Sequence, residues 1–159
     1  MGKVLAKFTN GCAGAIARSL DDVVVALANK SNAALAFGVP VARSTGKDGV
    51  VPFDPTAHTA ADFIGVTVRI PSKTPDTYGS SEGSYAPHDL VDVLVRGHIV
   101  VKCVGSGVGL GDPVSIFKTT GGFGVGTGDN YIPLDNVRIS AAPDSNYMTE
   151  ILLTTRNLV

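Results

Sequence analysis

Tryptophan is absent from these 159 residues, and the only aromatic carbocycles are 4 Tyr and 6 Phe. Any core must therefore be built from Val, Ile, Leu and Ala. Cysteine is almost missing too. Cys12 and Cys103 cannot make a disulfide framework. Neither sign of charge is in excess: 13 Lys and Arg face 14 Asp and Glu, for a net charge of −1. The positive residues are scattered, which argues against phosphate-tracking nucleic-acid binding, since that needs clustered Lys and Arg. Long apolar runs are lacking as well. The longest fall far below the ~20 residues that span a bilayer, so no membrane role is expected.

What the chain does have is glycine (19) and proline (9), which favour many turns and short strands over long helices. The glycines follow no fixed period and alternate with Val and Ile runs, so a collagen-like or disordered chain is not expected. Phe63 to Ile70 alternates as a half-buried strand, with Ile64, Val66, Val68 and Ile70 on one face. Asp89 to Val104 is the strongest strand signal, and Gly97 is a candidate bulge or bend within it. Cys103 shares a face with Ile99 and Val101, which predicts a buried thiol.

Ser19 with Asp22 forms a helix-capping pattern, but Val23-Val24-Val25 favours a strand, and strand is the expectation here. Ala33 to Ala42, Val50 to Phe53, Pro113 to Lys118, Val137 to Ala141 and Glu150 to Thr155 complete the expected strands. Phe37-Gly38-Val39-Pro40-Val41 is echoed by Leu110-Gly111-Asp112-Pro113-Val114, each placing Gly two residues before a strand-starting Pro. The organisation expected is an irregular N-terminal arm over residues 1–32 and a β-rich domain over residues 33–159. Met1 to Lys7 begins like a signal peptide, but Thr9-Asn10-Gly11 interrupts it too early for an apolar core region, which predicts a cytosolic chain with its N-terminus intact.

Chemical motifs are weak. Gly79-Ser80-Ser81-Glu82-Gly83 matches the Gly-x-Ser-x-Gly nucleophile elbow, with His58, His88 or His98 as nominal base and Asp89 as orienter. That elbow requires a strand before it and a helix after it, whereas here Pro75 and Pro87 flank a loop. Gly105-Ser106-Gly107 and Gly122-Phe123-Gly124 each lack the third glycine of a dinucleotide fingerprint. No His or Cys spacing fits a metal site. No catalytic residue, cofactor or metal ligand is assigned.

The segments Phe37 to Val41, Asp62 to Val66 with Val68-Arg69, Val95 to Val101, Gly111 to Val114 and Ile151 to Leu153 together resemble the head decoration (structural cement) proteins of tailed bacteriophages. The resemblance covers residues 33–159. It implies a mainly β protein, a small β-barrel or β-sandwich, made in the host cytoplasm and placed on the outer capsid surface of the virion. It further implies a homo-oligomer, most often a trimer, that binds the major capsid protein and strengthens the shell against genome pressure without catalysis. On this reading Lys3, Lys7, Phe8 and Arg18 of the arm are candidate capsid contacts. Tyr78 and Tyr85, in the long Pro71 to Pro87 loop, are candidate contacts to a neighbour. The alternatives are a phage tail or fibre accessory domain, a carbohydrate-binding module that uses those tyrosines, and a serine hydrolase on Ser81.

Overall fold

The computed structural model describes residues 10–70 and 83–155, with only the backbone of residues 18–20. Among the described residues eleven strands form where Val, Ile and Leu recur. They are β1 (Ile16–Ala28), β2 (Leu35–Ala36), β3 (Pro40–Arg43), β4 (Val50–Pro52), β5 (Phe63–Thr67), β6 (Ser84–Tyr85), β7 (Leu90–Val104), β8 (Pro113–Phe117), β9 (Phe123–Gly124), β10 (Tyr131–Ala141) and β11 (Met148–Leu153). Among the described residues the one helical turn is a 3-10 turn at Ala60–Asp62, where the Thr59 amide donates to Asp62 Oδ2 at 2.9 Å.

β7, β11, β10, β8 and β9 pair in succession, and β9 returns to β7 in parallel register, which closes a five-strand barrel. Of the two architectures expected, the barrel is the one found. The first half of β7 belongs to a second unit. There it pairs with β1 from Val23 to Ala28, and with β5 at Val93 and Leu94. β5 continues through β3 to β4. Val50 of β4 then bridges Asn29, and its carbonyl accepts the Lys30 amide at 2.8 Å, so the sheet curls back onto the end of β1.

Two apolar clusters result, and β7 serves both. Val91, Val93 and Val95 enter the cluster of Leu35, Phe37, Val41, Val50 and Tyr85. Leu94, Ile99, Val101 and Cys103 enter the barrel cluster with Val114, Ile116, Val137, Ile139 and Ile151. Leu94 and Ile99 are five apart, an odd spacing that a regular strand would send to opposite faces. Gly97, at φ 118, absorbs the difference. The extra residues lie opposite it on β1, Ser19 to Asp22 between the Arg18–His98 and Val23–Arg96 pairs, so Gly97 is a bend and not a bulge, and its effect is to switch which face meets the barrel. Each fully buried Val, Leu or Ile contributes about 1.5–3 kcal/mol.

The Gly-x-Pro echo is structural. Gly38 and Gly111 take φ 70 and 86, and Pro40 and Pro113 open β3 and β8. At Gly38 the glycine is also sterically required, because a Cβ would lie 2.6 Å from the Gly14 amide nitrogen. The chain before β1 crosses the β2–β3 corner at this point.

Three expectations change. Phe63 to Ile70 is not a half-buried strand: every residue of β5 is buried, with Val66 and Val68 in the barrel cluster and Ile64 in the other. The strand lies between two cores, so neither face reaches water. Ala33 to Ala42 is two strands broken at Gly38. Residues 16–20, read as lead-in, already pair with β7, Ile16 opposite Ile99 and Arg18 opposite His98.

Candidate functional site

On β7 the core-facing Cys103 alternates with Lys102 and Val104, which therefore leave the barrel on its outer wall. Met148 lies opposite Lys102 on β11, and the rings of Phe117 and Tyr131 stack at a tilt with centroids 5.2 Å apart. Facing them is the β2–β3 corner, Phe37 to Pro40. Between the wall and the corner runs an open groove of about 620 Å³, also lined by Thr120 and by the glycines at 105, 121 and 122.

The turn that leads into the groove residue Met148 is built on local hydrogen bonds. Asp144 Oδ1 accepts the amides of Asn146 (2.8 Å) and Met148 (3.0 Å), and the Tyr147 amide donates to the Asp144 carbonyl at 3.1 Å. This brace holds Tyr147 at φ 62, a left-handed angle uncommon outside glycine, with its side chain exposed. The Tyr147 carbonyl accepts the Cys103 amide at 2.9 Å, which ties the turn to β7. Asn10 adds a latch: its Nδ2 donates to the carbonyls of Ala142 (2.7 Å) and Met148 (2.6 Å).

Of the residues the sequence singled out, Lys3, Lys7, Phe8 and Tyr78 lie outside the described residues, and so does Ser81. Arg18 is placed by its backbone on β1 opposite His98. Tyr85 is a core residue. It has no exposed surface, packs edge-on against Phe37 at 5.5 Å, and donates its hydroxyl to the Val68 carbonyl at 2.6 Å. Burial pushes its phenol up to about 12. Its side chain offers nothing to a neighbour, because β6 pairs with β2 and turns it inward.

Two of the nominal hydrolase partners, His58 and Asp89, are engaged in their own turns. His58 Nδ1 accepts the Asp54 amide at 2.9 Å, and its ring packs on Phe53. Asp89 Oδ2 accepts the Ala86 amide at 3.2 Å. Among the described residues no three His, Cys, Asp or Glu gather as metal ligands. Cys103 is buried as expected, and burial pushes its thiol up to about 11.

The groove was not legible in the sequence, because its walls come from β7, β11, the β8–β10 face and the β2–β3 corner. The exposed Val104, next to a polar turn, was the one available signal.

Residues 3–154 match the family model described as structural cement protein (E217 gp24/Pam3 gp6). The chain belongs to the structural cement protein family. The match includes most of the first 32 residues, which the resemblance read from sequence had left out. Among solved structures, this cement protein is similar to a chain from the capsid of Myoviridae phage XM1, with a TM-score of 0.73 and 16% identity over 96% of this chain and 95% of that one. At that identity the likeness is one of fold. No curated protein matches. The cement family is a structural one of phage capsids, which gives this protein a capsid role.

Proposed function

We propose that this protein binds the outer surface of the major capsid shell and stabilises it against the pressure of the packaged genome, without catalysis. The observation that carries the reading is the family match across residues 3–154. The structure is compatible with it. A rigid barrel with exposed apolar side chains at Val104, Leu110 and Tyr147 suits adhesion spread over an area.

The N-terminal arm, through Lys3, Lys7, Phe8 and Arg18, is a second zone of shell contact in this proposal, and copies assemble as a homo-oligomer, a trimer being favoured. The protein is made in the host cytoplasm and ends on the virion. The test is co-sedimentation with undecorated, expanded capsids of the same phage. The expected result is saturation at a fixed number of copies per shell, and a variant lacking residues 1–9 should bind about tenfold more weakly. Shells that pellet without the protein would contradict the proposal. Unchanged affinity of the truncated variant would remove the arm from it.

A further inference from the structure

We propose that the groove on the outer barrel wall docks an extended, apolar segment of the capsid subunit carrying one carboxylate, which Lys102 receives. This deepens the shell-binding reading and rests on it.

Three observations point to that occupant. The groove's volume, about 620 Å³, falls within the range of preformed binding clefts, and its walls are mainly apolar: Phe37, Val39, Val104, Tyr131 and Met148. Val104 on that wall is 58% exposed, so apolar surface is left open to a partner.

The charge decides the partner's chemistry. Lys102 is the sole charged side chain of the lining, and it has no ion-pair or hydrogen-bond partner among the described residues. A single ammonium on an apolar wall favours a segment with one carboxylate and disfavours one with Lys or Arg at that point. A nucleic acid would need several cations in line. A glycan would need convergent polar side chains, and Thr120, Tyr131 and Lys102 are too few and too spread along the lining.

The test uses the full chain and about fifteen-residue peptides tiled across the major capsid protein of the same phage, with NMR shifts and fluorescence anisotropy as readouts. The expected result is a peptide of apolar residues around one Asp or Glu that shifts the signals of Val104, Tyr131 and Met148. Lys102→Glu should weaken it about tenfold, and exchanging the peptide's acid for Lys should restore binding to Lys102→Glu. Val104→Ser, which removes apolar surface and adds no charge, should weaken it independently of charge pairing, and thermal melts of both variants check folding. Binding that ignores the charge exchange, peptides that shift no groove signal, or a glycan that binds there instead would each overturn the proposal. Shell co-sedimentation separates the two claims. If wild type and Lys102→Glu bind shells equally, the groove assignment fails and shell binding stands. If neither binds, shell binding fails and the peptide measurement alone decides the groove.

Discussion

At the scale of single residues, Gly97 packs directly against Asp22. A Cβ on Gly97 would come within 2.8 Å of the Asp22 Cα, and the φ of 118 is strained for any L side chain. Gly97→Ala is therefore expected to cost about 2–4 kcal/mol, read by urea unfolding. Asp22 Oδ1 accepts the His98 amide at 3.0 Å, while its Oδ2 is buried without a partner. Asp22→Asn keeps the acceptor for the His98 amide and removes the charge, though its NH2 then sits where Oδ2 has no partner, so it should cost less than Asp22→Ala. Asp22→Ala leaves the His98 amide unsatisfied and should cost about 1–3 kcal/mol. The same unfolding series checks both, and a stability loss from Asn as large as that from Ala would refute the account. Gly97 was readable from sequence as a bulge or bend in a long Val-rich strand, and the bend is what forms. Asp22 was not, since its partner lies 76 positions away.

At the scale of elements, β7 links the two cores. Its alternation made it legible, and so did the buried face of Ile99, Val101 and Cys103. β5 misled for a physical reason: alternating apolar residues signal one buried face, but a strand packed between two cores buries both, and the small Gly65 and Thr67 permit that. Tyr85 misled because its neighbours are Ser, Gly and Pro, while its burial depends on Phe37 and Val68 far along the chain. Since β7 contributes to both clusters, they should unfold as one cooperative unit. Native-state hydrogen exchange is the check: protected amides of Val41, in one cluster, and Ile151, in the other, should open with the same free energy and the same denaturant dependence. Separate isotherms would mean two independent units.

At the scale of the whole molecule, pH dependence follows from groups with shifted titration. Lys30 and Ser44 hold Asp48 below its usual 3.8, the Thr56 hydroxyl and amide lower Asp54, and the Thr59 amide and hydroxyl lower Asp62. A depressed carboxylate stabilises the fold above its unfolded value, and that contribution is lost as pH falls through the folded one. Because Asp48 and Asp54 are exposed and Asp62 is only partly covered, the loss below pH 3.8 should be shallow. Cys103 runs the other way. Its raised thiol stabilises the protonated fold below pH 9.0, and this fades as pH rises towards about 11. Urea midpoints measured across pH should fall at both ends, and Cys103→Ala should flatten the alkaline limb. The candidate site belongs to this scale too, which is why the sequence reached a capsid role through Gly, Pro and Val spacings yet did not show the groove that Lys102 and Val104 share with the β2–β3 corner.

The central claim is that this protein holds a pressurised shell together, and the most direct measurement is the temperature at which genome-filled heads release their DNA, with and without it. The account predicts that saturating protein raises the release temperature, and that the gain vanishes when the same protein is added to heads already decorated. An unchanged release temperature at full occupancy would contradict it.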